Sequence, residues 1–302
     1  LMVIATADAI VDDVAPIRIK RSRVPLVIRI LLGRPSRVVA CVILLGFILM
    51  GAFGQYLYPA NLPIDPNNLF AGPSAKHLLG TDYAGADVLA EIVIGARYVI
   101  VSAVVAGVVM VAIGTIVGLV SGYYRGVTES VFMRITDFVI NLPGLPLLIV
   151  LSQLWQFSSP WALGAVLGIT GWGFIARPVR SQTLSLRERG FLEAVRGLGL
   201  PSRHIILREL LPNVAPFVAM NLLLSVVGSV YVETGLFFLG IVPYTSTNWG
   251  VMLQQAINNG ALLNTAALSY LLAPMVCILL LTLSIVLLLD ATDELFNPRL
   301  RG

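Results

Sequence analysis

The sequence predicts an all-α, polytopic membrane protein: six transmembrane helices, with a polar helix–turn–helix elbow on the cytoplasmic side between the fourth and the fifth. Three observations lead there. Hydrophobic residues make up 57% of the chain and charged residues 12%, with a mean hydropathy of +0.89, whereas a soluble globular chain carries about a quarter of its residues charged. Apolar runs of about 18 residues or more recur, each long enough to cross about 30 Å of hydrocarbon. Of the twenty Lys and Arg residues, only Lys76 and Arg97 fall outside one set of alternating polar segments.

The elements follow in order. Residues 1–37 are an N-terminal segment, acidic at Asp8, Asp12 and Asp13, then basic at Arg18, Lys20, Arg21, Arg23, Arg29, Arg34 and Arg37. Within it, Ile28–Leu32 reads either as a short interfacial helix or as part of a solvated tail. The first span, Val38–Leu57, is too long for a signal-peptide core and lacks a clean cleavage site after it, so it reads as an uncleaved anchor. Tyr58–Arg97 is rich in Pro, Asn and Gly and is predicted as a loop with one helix from about Ala86 to Gly95. The second span, Tyr98–Val120, would be about 34 Å long. At its end Gly114, Gly118 and Gly122 recur every fourth residue, a smooth stripe that lets another helix approach closely.

After the turn Gly122-Tyr123-Tyr124-Arg125-Gly126 comes the third span, Val131–Phe157, interrupted by Arg134, Asp137, Asn141, Pro143 and Pro146. Only Ser158-Ser159-Pro160 separates it from the fourth, Trp161–Ile175, which predicts a tight hairpin; Gly164 and Gly168 repeat the small-residue spacing. The fifth span, Val214–Gly240, carries Glu233. Ile241–Thr265 reads as a second polar loop, Leu268–Leu289 as the sixth span and Asp290–Gly302 as a tail. Residues 38–302 thus form one transmembrane domain.

An even number of spans leaves both termini on one side, and the positive-inside bias puts them, with the insert at Arg187–Asn213, in the cytoplasm of a plasma (inner) membrane. Tyr58–Arg97 and Ile241–Thr265 then face outward. Trp155, Trp161 and Trp249 fall at the predicted outer boundaries, as aromatic belts do. Cys41 and Cys277 both lie inside apolar runs, as small buried hydrophobes rather than a disulfide framework.

The insert is the anomaly. Arg177, Arg180, Arg187, Arg189, Arg196, Arg203 and Arg208 lie in or just before it. Phe191–Leu198 reads as a short amphipathic helix, with Phe191, Leu192, Ala194, Val195 and Leu198 on one side and Glu193 and Arg196 elsewhere. Gly197, Gly199 and Pro201 break it, Ser202 is the predicted N-cap of a second helix, and Pro212 marks re-entry into the membrane. A polar surface loop keeps this many large apolar residues when they cover something.

Several function classes fall away. A phosphate-binding loop needs GxxxxGK[ST], and the only lysines, Lys20 and Lys76, follow Ile19 and Ala75. No catalytic or metal site is expected, because His77 and His204 lack metal-spaced partners and no GxSG or GxGD occurs. Nucleic-acid binding would need a basic face on a soluble fold. A secondary carrier would need ionisable groups within the membrane, and Asp137 and Glu233 are the candidates. Asp137 stands three residues from Arg134, which favours an ion pair. Glu233 reads equally as a group bordering a translocation path or as a helix-to-helix hydrogen bond.

Glu193-Ala194-Val195, with Gly199 four residues on and Leu211-Pro212 beyond, resembles the EAA-x3-G-x9-I-x-LP signature of ABC importer permeases. Val195 stands for its second alanine and Glu209 for its isoleucine. The sequence His77-Leu78-Leu79-Gly80-Thr81-Asp82, with Gly85 and Asp87-Val88-Leu89, is similar to the outer loop of C-type dipeptide and oligopeptide permeases, with Ala86 where arginine is common. So are Gly95-Ala96-Arg97, Ser185-Leu186-Arg187-Glu188-Arg189, Glu233-Thr234-Gly235-Leu236 with Phe238-Leu239-Gly240, Trp249-Gly250 and Asn297-Pro298-Arg299-Leu300. The resemblance implies a coupling helix at the elbow, in which Glu193, Ala194, Val195, Arg196, Gly199, Pro201, Arg203 and Pro212 meet a cytoplasmic ATPase. It also implies a second homologous permease, two ATPase domains that use ATP and Mg, and an extracytoplasmic solute-binding protein; this chain itself binds no cofactor. Di- or oligopeptides are the implied cargo, with nickel or haem as alternatives.

Overall fold

The computed structural model describes residues 26–59, 62–154, 159–242 and 247–296. Trp155, the basic residues before position 26 and Asn297-Pro298-Arg299-Leu300 lie outside them. Among the described residues the chain is helical, without strands: α1 Leu26–Leu32, α2 Pro35–Leu57, α3 Val88–Tyr124, α4 Gly126–Asn141, α5 Gly144–Leu154, α6 Pro160–Gly171, α7 Gly173–Arg187, α8 Gly190–Gly197, α9 Ser202–Phe238, α10 Trp249–Asn258, α11 Leu268–Leu287 and α12 Leu289–Phe296. Four helices or helical runs are long and apolar enough to span a membrane: α2, α3, α9 and the run containing α11. The pairs α4–α5 and α6–α7 meet the same test together but are bent by 83° and 49°. Counting each pair as one span gives the six predicted.

The first bend has a local cause. Leu142 precedes Pro143, and the proline ring pushes it out of the helical region to φ −64°, ψ 131°, so α4 stops there. Gly171 and Gly173 flank the second bend. A side chain on Gly171 would collide with Met110 Cε, and one on Gly173 would meet Ile140 Cγ1 at 2.8 Å.

Helix α3 is the axis of the bundle, packing against α2, α6, α7 and α9. The glycine stripe makes this possible. Cβ atoms on Gly114, Gly118 and Gly122 would come within 2.6–2.7 Å of Ile175, Val179 and Thr183 on α7. Gly164 and Gly168 of α6 answer with the same closeness to Val105 and Val109. A Gly118→Val substitution is therefore expected to destabilise the chain by about 1–3 kcal/mol through overpacking. The thermal midpoint of the detergent-solubilised protein checks this, and an unchanged midpoint would show that α3 and α7 do not touch there.

Four boundaries differ from the sequence expectation. The short helix expected at 86–95 is the first part of α3. Asp87 caps it by accepting from the Leu89 and Ala90 N–H groups at 2.8 and 3.3 Å, and Gly95 does not break it. At 1.5 Å per residue α3 is then about 55 Å long and overshoots the hydrocarbon. The fourth span does not end at Ile175 but runs on as α7, whose arginines pair with acids on α4. The fifth begins at Ser202, not Val214. The loop at 241–265 contains α10, whose Trp249, Val251, Met252 and Ala256 are core residues.

The described ends come together. Ile28–Leu32 belongs to α1, which packs on α12. Arg37, the last of the N-terminal basic residues, is only 3% exposed: its guanidinium donates to Ile30 O at 3.1 Å and to Glu294 Oε2 at 2.5 Å. A buried arginine needs such partners to offset its desolvation.

Candidate functional site

At one end of the bundle α7 runs to Arg187, α8 crosses, and the chain turns through Leu198–Pro201 into α9. The turn depends on Gly199, whose φ of +70° lies in the left-handed region; its N–H bonds Arg196 O at 2.9 Å, closing α8. Pro201, not Ser202, holds the N-cap position of the second helix, and Ser202 is its first residue. That helix continues into the membrane-spanning part of α9 through a widened π segment, Ile205–Leu210, in which the Leu211 N–H reaches five residues back to Ile206 O. Pro212 and Pro216, which supply no N–H, follow directly in the first turns of the regular helix.

The elbow sits on a platform. Leu192 is fully buried and Val195 partly buried, in a cluster with Leu119, Leu186, Ile205 and Leu210. Ala194 and Leu198, expected on the same buried stripe, are exposed instead, Leu198 to 76%. With Leu200 and Gly199 they form an apolar tip facing away from the bundle. Glu193, Pro201, Arg203 and Pro212 are exposed too, and no ion pair to Glu193 or Arg203 is found among the described residues.

Arginines brace the elbow and the helices behind it. Arg187 donates to Tyr123 O at 2.7 Å, Arg125 pairs with Glu188 at 2.9 Å, and the Arg196 guanidinium lies 5.3 Å from the Tyr123 ring centroid. Arg180 binds Glu129 through Nε at 2.9 Å, and Arg177 pairs with Asp137 at 2.6 Å. Asp137 is thus partnered across helices by Arg177 and not, as its spacing suggested, by Arg134. Both members of that pair are about half exposed, so its contribution to stability is small.

At the opposite end, motif residues far apart in sequence meet. Glu233 is fully buried; Asn248 Nδ2 donates to its Oε1 at 2.8 Å and the Ser102 hydroxyl to its Oε2. Of the two readings open for Glu233, the helix-to-helix hydrogen bond is the one observed. Trp249 is not a belt residue: it is fully buried, donates to Ile92 O at 3.0 Å and lies over Gly95, where a Cβ would sit 3.1 Å from the indole. Trp161, by contrast, is 63% exposed. In the loop before α3, Asp82 is buried and accepts from the Ala84 and Ala86 N–H groups at 2.9 and 2.6 Å. Burial raises its pKa against those bonds, which lower it. Gly85, at φ +88°, passes so close to Asp65 that no side chain fits.

Between the ends, a cavity of about 570 Å³ opens where α4–α5 and α6–α7 bend away from α9. Its walls are apolar except for Thr170, Asn221, Ser225 and Ser229. Neither Asp137 nor Glu233 lines it; Glu233, one residue beyond the lining Val232, points to the opposite side of α9. The polar stripe on α9 was visible in the sequence as Asn221, Ser225 and Ser229 at intervals of four, but only the bent helices show which neighbour leaves it open.

A multi-pass helical bundle that projects a braced two-helix elbow from one end is compatible with a membrane transport subunit. Residues 114–302 match the family described as binding-protein-dependent transport system inner membrane component. The chain is 33% identical over 253 residues to a protein of Brucella suis named as a peptide permease, covering 82% of this chain and 83% of the relative. It is 33% identical to the oligopeptide transport system permease protein OppC of Haemophilus influenzae, over 73% and 72% of the two chains, and 34% identical to OppC of Mycobacterium bovis, over 67% and 71%. The chain belongs to the family of binding-protein-dependent transport system inner membrane components.

Proposed function

We propose that this chain is a permease subunit of an ATP-driven importer for di- or oligopeptides, of the C type. Both termini and the elbow lie in the cytoplasm. It forms the translocation path with a second homologous permease, and two cytoplasmic ATPase domains drive it through the elbow. The observation that carries this reading is the exposed tip at Ala194, Leu198 and Gly199, held rigidly on a buried Leu192 and joined to two spanning segments. A lever of this form turns closure of a partner into movement of α7 and α9 together. Peptide as cargo rests on the relatives named for it. The cavity beside Asn221, Ser225 and Ser229 is this chain's wall of the path, a few polar groups among apolar walls that tolerate varied side chains. An extracytoplasmic binding protein docks at the loop end, where Leu262 and Leu263 are exposed to 61% and 94%.

Proteoliposomes containing this chain, the second permease, the ATPases and the binding protein are expected to accumulate labelled peptide only with ATP and only when the binding protein is present. Uptake abolished by a protonophore at constant ATP would instead favour a carrier using Asp137 and Glu233.

A further inference from the structure

The elbow is joined covalently to α7 and α9, yet one residue of a third helix touches all of its parts. Tyr123 lies at the end of α3, just before a turn in which Arg125 and Gly126 take φ values of +52° and +63°. Its carbonyl accepts from Arg187 at the end of α7 (2.7 Å), its ring lies under the Arg196 guanidinium of α8 (5.3 Å), and its hydroxyl points to the Ser202 hydroxyl at the start of α9 (3.4 Å). The Tyr124 ring supports it edge-on at 5.0 Å between centroids, and the Tyr123 ring itself packs on the cluster that holds Leu192. The adjacent Arg125–Glu188 pair ties the following turn to the residue that ends α7.

We infer that Tyr123 is a positioning residue through which movement of the elbow is passed to α3, the helix on which α2, α6, α7 and α9 all pack. Without the Tyr123 side chain, the elbow would meet the end of α3 chiefly through the apolar cluster of Leu119 with Leu192 and the exposed Arg125–Glu188 pair. With it, displacement of α8 pulls on the cation–π contact and displacement of the start of α9 on the hydroxyl contact, and α3 follows. This rests on the coupling role of the elbow.

The test uses the complete transporter in proteoliposomes and reads ATP hydrolysed per substrate imported. Tyr123→Ala is expected to raise this ratio about tenfold, the size of effect that loss of a well-placed cation–π contact allows. Tyr123→Phe, which keeps the ring, should stay within about twofold of the parent. Tyr123→Leu, which keeps apolar bulk, replaces the alanine variant should that fail to assemble. Because Tyr123 acts through Arg196, Tyr123→Ala combined with Arg196→Ala should be no worse than the more affected single variant; multiplied effects would overturn the inference. A parallel fall of hydrolysis and uptake, leaving the ratio unchanged, would overturn it by reducing Tyr123 to a packing role. Gly199→Trp is the reference: a raised ratio there with a normal ratio in Tyr123→Ala sinks this inference alone, whereas a normal ratio in both sinks the coupling reading on which it stands.

Discussion

Tryptophan in place of Gly199 is expected to lower peptide uptake by the assembled transporter about tenfold or more while ATP hydrolysis continues. Gly199 holds φ +70°, which costs an L-residue roughly 1–2 kcal/mol. Among the described residues, none beyond its two chain neighbours lies within 4 Å of where its Cβ would be, so the added side chain has room and the fold survives. What it blocks is the exposed tip, where the proposed ATPase must approach. Glu193→Lys should act in the same direction, because Glu193 is exposed and makes no ion pair among the described residues. Thermal melting of the purified chain separates uncoupling from misfolding. Uptake at the parent rate in both variants would mean that no partner engages this tip.

Trp249→Ala is expected to destabilise the chain by about 3–5 kcal/mol, the cost of emptying a large buried aromatic site. The indole fills the space over Gly95, meets Phe47 edge-on at 5.7 Å between centroids and satisfies Ile92 O. Against a total stability of about 5–15 kcal/mol, such a loss leaves little folded protein. Yield and melting temperature in detergent check it, with Trp249→Phe expected to fall between parent and alanine variant. If the alanine variant melted like the parent, α10 would have to be a surface loop after all.

The two variants also mark where sequence reasoning succeeded and where it did not. The elbow was legible because its signals are local: a Gly, a Pro and a short amphipathic run interrupt a hydrophobic chain. The role of Trp249 was not. Its neighbours are polar, as at a membrane boundary, and only the fold brings Gly95 beneath it and Glu233 to the adjacent Asn248. Leu198 was misplaced because helical periodicity sorts residues into faces without saying which face the bundle covers. Asp137 was assigned to Arg134 by sequence distance, but α7 runs on past Ile175 and brings Arg177 closer.

The sequence by itself determined the class of fold, the number of apolar segments, the alternation of charge and the position of the elbow, because bilayer thickness and backbone hydrogen bonding act on single segments. Tertiary structure decided what depends on two segments meeting. It set the close approach of Gly171 and Gly173 to their neighbours at the second bend, the continuity of α9 through its π segment, the conversion of a supposed outer loop into core, and the convergence of three elbow contacts on Tyr123. Those contacts join residues dozens of positions apart. No local pattern records them, and the close glycine-lined packing of α3 on its neighbours holds them in place.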